Sequence, residues 1–574
     1  MTLHDLARHH GLTLRYGDRP VPDATLRLLL KGLGQDPDGP PSAPPAPNEM
    51  AVPEGVACYL PDSLRDAPGW GIFCQLYELR SDRNWGIGDF ADLAALARIC
   101  GAAGADFLGI NPVHALFASD PDRTSPFSPS SRRFLNPIYI APDLLGCPRP
   151  DDLPDGELVD YAAVTQAKTR ALRSVFDAAG PDPDLDAYVA RGGAALRGHA
   201  LFEAISARHP GGWHGWPEAL RDPASPHVAE FAGQFADDVR FHLWLQWVAA
   251  TQLDAAQAAA KEAGMRLGLY LDLAVGTALD GSATWTGEDG ALPGVTVGAP
   301  PDVFSQDGQN WHLAAPSPVA LREAELAPFR RMIRAQLAHA GALRIDHAMA
   351  LWQLFLIPEG GHPSEGTHLR YPFAEMLRVL AEESNRNEAV VIGEDLGWVP
   401  EGFRQTMGEA NVLSYRIVYF EQSEQGFTAA RDYPQVAMAC LSTHDLPTLA
   451  AWQRGEDIDL REEHGLVSSE ASGQHRAHRE WERRHLARAI GAPEDADADT
   501  LLDAAHRFMA ATPCLLAGVR LADLVGPERP TNLPGTVESY PNWRPRGPTP
   551  VEAIANHPTF ARVTGLMRKA RPRP

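Results

Sequence analysis

Apolar and polar positions follow one repeating pattern from about residue 68 onward. An apolar, β-branched run ends on polar residues, and a helical stretch follows several of these runs. Short apolar runs between turn signals are typical of strands that are buried on both faces. The eight runs are "GIFCQLYEL", "DFLGINPVH", "MRLGLYLDLAV", "GALRIDHAM", "AVVIGEDLG", "VLSYRIVYF", "VAMACLSTHD" and "PCLLAGVRLADL". Eight strands in alternation with helices predict an α/β fold, the (β/α)8 or TIM barrel.

The competing fold is an open, doubly wound α/β sheet. Such a sheet needs a glycine-rich phosphate turn after an early strand. The segment "NWGIGDF" follows the first run, but it lacks GxGxxG spacing and carries an acidic residue where an anion would bind. The barrel is therefore the better interpretation.

The pattern also predicts how the chain is divided. Residues 1–36 read as a small helical segment, residues 37–67 as a Pro-rich linker, and residues 68–574 as the catalytic barrel. The barrel carries two long insertions, at about 115–262 and 447–512, and both have helical patterning. We expect these insertions to surround the mouth at the carboxyl ends of the strands.

Composition excludes some partners. The 574 residues carry a net charge of -23, from 74 acidic and 51 basic side chains. Nucleic acids and anionic membrane surfaces would repel such a chain, so we expect neither as a partner. The start of the chain lacks the apolar core of a signal peptide, and no run is apolar for long enough to span a bilayer. We expect a cytoplasmic protein.

Charged side chains gather at the ends of the predicted strands. The third run ends near Asp272, the fourth carries Arg344 and Asp346, the fifth ends on Glu394, and the seventh on Asp445. Barrel enzymes build their sites at these ends. Side chains alternate along a strand, so Arg344 and Asp346 point the same way, and the guanidinium can hold the carboxylate ionised.

Several carboxylates at one mouth repel each other, so they are hard to explain by stability alone. Cleavage of a glycosidic bond uses such a set: one carboxylate attacks the anomeric carbon, and one carboxylic acid protonates the leaving oxygen. Two carboxylates of the set would then flank one scissile bond at about 5 Å, as a double-displacement route requires.

The motifs themselves resemble a known family. "LRIDH", "VIGEDLG" and "LSTHDLPTL" match in order the nucleophile, acid/base and third-carboxylate motifs of the amylomaltases, the 4-α-glucanotransferases of glycoside hydrolase family 77. Further matches include "QLYELRSDRNWGIGDFADL", "SPFSPSSRRFLNPIYI", "VGAPPDVFSQDGQNW" and "NLPGTVESYPNWR". The resemblance covers about residues 71–546 and is collinear.

The resemblance implies a role for each residue of the set. Asp346 would be the nucleophile, Glu394 the general acid and then the general base, and Asp445 would bind the sugar's 2- and 3-hydroxyls. Arg344 would support Asp346, and His444 would hydrogen-bond the sugar in the same subsite.

Further substrate contacts follow from the same resemblance. Asp272 and Asp280 would contact glucose at the mouth of the third strand. The loop 294–311 would lie over the cleft and offer Trp311 as a stacking platform. The remaining implied substrate-binding residues are Gln309, Asn136 and Ser125. One departure from the family pattern is Phe127, which stands where many members have tyrosine.

The implied activity is transfer of α-1,4-glucan segments between maltodextrins, with a covalent glucosyl-enzyme. Donors and acceptors would be maltodextrins and glucose, no cofactor or metal would take part, and the protein would be a monomer or a homodimer. An α-glucan hydrolase on the same scaffold is the first alternative. A metal-dependent barrel hydrolase usually needs an HxH motif on its first strand, which "QLYELR" lacks, and an inactive sugar-binding protein is the third alternative.

Two assignments remain undecided from the residues alone. Strand physics alone does not choose between Glu394 and Asp395 as the acid, and Asp395 is also a candidate cap for a following helix. The resemblance assigns the role to Glu394. His347 is equally consistent with a satisfied core histidine and with a sugar contact.

Overall fold

The computed structural model describes residues 2–16, 18–42, 44–47, 49–288, 290–301 and 307–574. Eight parallel strands close into a barrel in which each strand pairs with the next along the chain, and the eighth pairs with the first. The predicted (β/α)8 barrel is confirmed. Its strands are β1 (Gly69–Phe73), β2 (Phe107–Gly109), β3 (Gly268–Leu273), β4 (Ala342–Ile345), β5 (Val390–Gly393), β6 (Leu413–Ile417), β7 (Ala437–Cys440) and β8 (Leu516–Arg520).

The strand register decides which polar residues meet at the mouth. Every residue of β3 and β4 is buried, which explains their nearly continuous apolar sequence. In the parallel pairing of these strands, Arg344 is the partner of Asp272. Two charged side chains thus lie at the same level of an otherwise apolar barrel.

Long helices surround the barrel and cover its apolar outer face. They are Phe90–Ala103, Ala236–Glu262, Ala327–Leu337, Phe373–Arg386, Phe403–Glu409, Ala498–Ala510 and Pro558–Ala570. The first of them begins with a capping box at Asp89 and ends at Gly104, whose φ of 105° suits glycine. Between β6 and β7 the structure has 3-10 turns and the hairpin Gln422–Ser423/Gly426–Phe427 in place of an α-helix.

Both long insertions are helical. The one between β2 and β3 contains a strand pair, His114–Ala115 and Ser131–Leu135, and the helices Tyr161–Ala178, Pro183–Ser206, Glu218–Arg221 and Pro226–Gln234. The one between β7 and β8 contains the helices Leu449–Arg454, Glu456–Glu463 and Ser469–Ile490. Short helices complete the chain: Ser282–Trp285, Pro318–Glu323, Leu521–Val525 and Val551–Ile554.

A separate antiparallel sheet is formed by the segments that follow β3 and β4, so it lies at the carboxyl end of the barrel. Its five strands, in spatial order, are Thr367–Arg370, Gln353–Pro358, Val295–Ala299, Gln309–Ala314 and Thr277–Ala278. This accessory sheet carries Trp311, Phe355 and His368, three rings that face the site described below.

The N-terminal segment packs on this accessory sheet. It has two helices, Leu3–His9 and Asp23–Gly32, and a short hairpin, Arg15–Tyr16 with Arg19–Pro20. Leu12 forms a β-bridge with Leu369, and the N–H of Thr13 donates to the His368 carbonyl at 3.0 Å.

The described residues of the Pro-rich stretch also contact the rest of the protein. The N–H of Cys58 donates to the Ala410 carbonyl at 2.8 Å, shortly before the helix Asp62–Asp66. The domain boundaries at residues 36 and 67 stay predictions. No helix in the described part of the chain is long and apolar enough to cross a membrane.

Candidate active site

A cleft of about 1260 Å³ opens at the carboxyl ends of the barrel strands. Asp346, Glu394 and Asp445 all line it, although they come from segments far apart in the sequence. A smaller cavity of about 50 Å³ shares His444 with the cleft and is lined by Arg344, among others. The three predicted carboxylates therefore lie around one concave surface.

Arg344 joins two of the carboxylates at the mouth. Its Nη1 lies 2.7 and 2.9 Å from the two carboxylate oxygens of Asp272, and its Nη2 lies 3.0 Å from Oδ1 of Asp346. The first contact follows from the β3–β4 register, and the second from the two-residue spacing on one side of the strand. One buried guanidinium thus contacts two carboxyl groups.

Asp272 is the more buried of the two partners. Burial raises the pKa of Asp272 to about 7, Arg344 acts against this rise, and the negative charge of Asp346 adds to it. Proton uptake at Asp272 and the charge on Asp346 are therefore linked through the same guanidinium.

Glu394 follows the end of β5 and is held by two backbone donors. The N–H of His347 donates to its Oε2 at 2.8 Å, and the N–H of Leu396 donates to its Oε1 at 2.7 Å. Burial raises the pKa of Glu394 to about 7; Arg344 opposes the rise and Asp346 adds to it. A carboxyl that keeps its proton near neutral pH, beside another carboxylate, has the properties of a general acid.

Asp445 is the most accessible of the three, with 39 % of its side chain exposed. Nδ2 of Asn532 donates to its Oδ1 at 2.6 Å, and Nε2 of His444 lies 3.3 Å from its Oδ2. Asn532 was quoted above within "NLPGTVESYPNWR" without a role of its own. Only the three-dimensional structure, in which this distant segment lies at the barrel mouth, shows that Asn532 orients a carboxylate.

An aromatic wall stands beside Asp445. The ring of His444 stacks on Phe127, with 4.9 Å between centroids and 11° between planes, and Trp543 lies 5.6 Å from Phe127. Burial lowers the pKa of His444, so its ring is neutral at neutral pH. Phe127, the departure from the family pattern, therefore packs against a predicted sugar-binding residue.

A second aromatic group stands near Glu394. Trp311 meets His347 edge-on at 5.3 Å, and its Nε1 donates to Oε1 of Gln309 at 3.0 Å. His347 has a left-handed backbone, with φ of 48°, and its N–H faces Glu394. His347 thus lines the cleft, as a sugar contact would, and also packs against Trp311, as a structural histidine would. The structure therefore shows features of both interpretations of His347.

Only some of the remaining predicted substrate contacts line the cleft in the structure. Ser125, Gln309 and Trp311 line the cleft. Asp280 instead forms a bidentate pair with Arg123, at 2.9 and 2.8 Å, and it is Arg123 that lines the cleft.

Asn136 lies in a different environment. Its side chain accepts from the N–H of Ile138 at the start of a 3-10 turn, and it lines a separate cavity of about 270 Å³. Part of the predicted covering loop, residues 302–306, lies outside the described residues.

Asp395 serves the fold. Its carboxylate accepts from Ser414 Oγ at 2.5 Å, from the N–H of Tyr415 at 3.1 Å and from Nε of Arg404 at 3.1 Å. The helix that it was expected to cap begins after Gly402, so Asp395 contacts a side chain of the first turn and not the free N–H groups. This network separates Asp395 from Glu394, whose neighbours line the cleft.

In the part of the chain that the structure describes, no three His, Cys, Asp or Glu side chains converge in a way that would hold a metal ion. The mouth offers carboxylates, one shared arginine and aromatic rings. A (β/α)8 barrel with this set belongs to the class of barrel enzymes that use carboxylates for acid and base chemistry.

Comparison with known proteins identifies the family. The family model described as 4-alpha-glucanotransferase, glycoside hydrolase family 77, matches residues 74–550. A 4-alpha-glucanotransferase of Mycobacterium tuberculosis strain H37Rv is 38 % identical over 523 residues, which cover 84 % of this chain and 72 % of that protein. A 4-alpha-glucanotransferase of Haemophilus influenzae is 33 % identical over 532 residues, covering 84 % of this chain and 76 % of that protein. The chain therefore belongs to glycoside hydrolase family 77 and is an enzyme with 4-α-glucanotransferase activity.

Solved structures agree with the fold. The amylomaltase from Corynebacterium glutamicum superposes with a TM-score of 0.84 at 27 % identity, covering 98 % of this chain and 99 % of that one. An amylomaltase from Streptococcus agalactiae, solved in complex with acarbose, gives a TM-score of 0.73 at 19 % identity, with 88 % of this chain and 99 % of that one covered.

Proposed function

We propose that this enzyme moves α-1,4-glucan segments between maltodextrins by a retaining double displacement. The observation that carries the proposal is the arrangement of Asp346 and Glu394. Nη2 of Arg344 pairs with Oδ1 of Asp346 at 3.0 Å, and Glu394 accepts a hydrogen bond from the N–H of the very next residue, His347. A nucleophile paired with an arginine, beside a second carboxyl whose pKa is raised, is the arrangement that retaining glycoside chemistry requires.

In the first half-reaction, Asp346 attacks the anomeric carbon of the donor. The bond from that carbon to the leaving oxygen breaks, and Glu394 gives its proton to this oxygen. A shortened glucan leaves, and a glucosyl ester on Asp346 remains. The raised pKa of Glu394 keeps the proton available at neutral pH until the leaving oxygen takes it.

Asp445 would stabilise the sugar as its ring flattens. Its carboxylate is oriented by Asn532 and by His444, and a large part of it remains accessible to a ligand. Hydrogen bonds from the sugar's 2- and 3-hydroxyls to this carboxylate would be strongest in the transition state. Among the residues that the structure describes, no arginine forms an ion pair with Asp445, which leaves its exposed carboxylate available to accept hydrogen bonds from a sugar.

In the second half-reaction, Glu394 acts as the base. It takes the proton from the 4-hydroxyl of an acceptor sugar, whose oxygen attacks the anomeric carbon and releases Asp346. Water competes with the acceptor for the same intermediate. A cleft lined by Trp311 and Trp543 favours a sugar over water, because the rings bind pyranose faces and displace solvent.

The partners of this proposal are maltodextrin donors and acceptors and glucose. Cytoplasmic location, the lack of a cofactor and a monomeric or homodimeric state stay predictions.

The decisive experiment is the product profile from maltotriose. We expect glucose together with longer α-1,4-glucans, while the total of reducing ends stays nearly constant. A steady rise in reducing ends would instead favour the hydrolase. Full activity after treatment with a chelator is also expected, and its loss with recovery on addition of a divalent metal would favour the metal-dependent alternative.

Asp346→Asn tests the assigned nucleophile. We expect turnover to fall by about 10⁴-fold or more because the amide cannot form the ester. Circular dichroism checks that the variant is folded. The matched control is Asp432→Asn, an aspartate that is 59 % exposed and does not line the cleft, and this variant should keep wild-type rates.

A further inference from the structure

One large exposed side chain stands at the cleft without a role in the steps above. Trp398 is 55 % exposed, lines the cleft and follows Glu394 by four residues. Single exposed apolar side chains are common on protein surfaces, so it is the place of this indole in the cleft, beside the carboxylates, that distinguishes it. Its position makes it a candidate contact for substrate.

The ring of Trp398 is backed by a second, buried ring. It stacks on His368, with 5.1 Å between centroids and 26° between planes. His368 is 5 % exposed, and Phe355 meets it edge-on at 5.2 Å. One face of the indole is thus supported by the accessory sheet.

The N-terminal segment holds His368 in place. The backbone N–H of His368 donates to Tyr16 Oη at 2.8 Å, and the same oxygen lies 2.5 Å from Nδ1 of the His368 ring, within hydrogen-bond distance. Burial lowers the pKa of His368 to about 3, and His347 adds to this lowering. The imidazole is therefore neutral at neutral pH and presents an uncharged face to the indole.

The position of Glu394 indicates on which side of the cleft Trp398 lies. The segment from Glu394 to Trp398 directly follows β5. The N–H of Leu396 donates to Oε1 of Glu394, so the backbone of this segment stays close to the acid. Asp272 and Arg344 lie instead at the small cavity with His444. A general acid stands beside the leaving oxygen, and the incoming acceptor takes the place of the leaving group, by microscopic reversibility.

We propose that Trp398, backed by His368, is an acceptor subsite on which a glucose ring stacks, and that Tyr16 of the N-terminal segment positions this platform. The inference rests on the proposed transferase function and names the residues that let a sugar compete with water. A pyranose is uncharged and has an apolar face, which suits an indole supported by a neutral imidazole. Tyr16 acts through His368, so it is a positioning residue.

The test uses α-maltosyl fluoride with its non-reducing-end 4-hydroxyl removed as the donor, because fluoride leaves without filling the acceptor side of the cleft and this donor cannot itself act as the acceptor. Fluoride release without acceptor measures formation and hydrolysis of the intermediate, and transfer to added glucose or maltose measures the acceptor subsite. For Trp398→Ala we expect the acceptor KM to rise about tenfold, as loss of one stacked face implies. Fluoride release in the absence of acceptor should change much less than transfer does, and Trp398→Phe should restore much of the acceptor affinity.

The matched control is Phe420→Ala, which removes an aromatic side chain that is 47 % exposed and does not line the cleft. It should leave both rates unchanged. Tyr16→Phe keeps the ring against Phe355 and removes the hydroxyl, so we expect a rise of about threefold in acceptor KM with a smaller change in fluoride release. A purely structural role would lower the unfolding temperature and leave the acceptor KM unchanged.

The two proposals fail in different ways. If wild-type protein releases fluoride but transfers nothing to glucose or maltose, the transferase proposal is overturned. If the wild type transfers normally and Trp398→Ala keeps its acceptor KM, the function stands and the acceptor subsite is refuted.

Discussion

Nη2 of Arg344, on β4, lies 3.0 Å from Oδ1 of Asp346, the proposed nucleophile that directly follows this strand. The other end of the same guanidinium holds Asp272. Arg344→Lys keeps one positive charge but loses the planar fork that reaches both carboxylates. We expect kcat on maltotriose to fall about 100-fold, with a smaller change in KM, because the nucleophile loses its partner.

The control for this substitution is Arg404→Lys. Arg404 also pairs with an aspartate, Asp395, at 3.1 Å, but neither residue lines the cleft. Steady-state rates near wild type are expected for it. Equal losses in both variants would mean that the Arg344 effect is a general loss of stability.

The pH dependence of the reaction should report Glu394. Its raised pKa, about 7, means that the acid form is present below that pH and disappears above it. We therefore expect kcat/KM for maltotriose to fall as the pH rises through about 7. With α-maltosyl fluoride, whose leaving group needs no proton, kcat/KM for fluoride release should lose this alkaline limb. An identical limb with both donors would assign it to another group.

Asn532 orients Asp445 through a hydrogen bond of 2.6 Å, and this contact has a measurable role. For Asn532→Ala we expect kcat to fall about tenfold to 100-fold, because a hydrogen bond to a charged group is lost where the transition state needs it. The unfolding temperature should change little. Asn387→Ala, which removes an amide that donates to the Glu383 carbonyl outside the cleft, should leave kcat unchanged.

Glu203 offers a test of stability away from the chemistry. It is 7 % exposed, its Oε1 has no hydrogen-bond partner in the described part of the chain, and burial raises its pKa to about 8. The folded-state pKa is above the unfolded value of 4.5, so the contribution to stability is full below pH 4.5 and is lost as the pH rises to 8.

Glu203→Gln removes this titration. We expect its free energy of unfolding to fall less than that of the wild type between pH 5 and 8, by on the order of 3 kcal/mol. Urea denaturation at several pH values measures the difference. Glu218→Gln, at an exposed position of the same insertion, should follow the wild-type curve. Parallel curves for Glu203→Gln and the wild type would contradict the assigned burial effect.

The sequence alone predicted the barrel, because strands that are buried on both faces consist almost entirely of apolar residues. All eight predicted runs correspond to β1–β8. The polar residues Asp346, Glu394 and Asp445 were visible for the same reason: each interrupts or follows a run that would otherwise exclude charge. Alternation within one strand also predicted the contact between Arg344 and Asp346.

The tertiary structure decided what depends on distant segments. Glu394 and Asp395 are neighbours in the sequence, and only the contacts of Asp395 with Ser414 and Arg404 separate their roles. Trp398 receives its support from Tyr16 through His368, across more than 350 residues of chain. The local pattern of apolar and polar residues indicates whether a position is buried, but it does not indicate which distant side chain covers that position. Pairing across the barrel mouth therefore had to come from the fold.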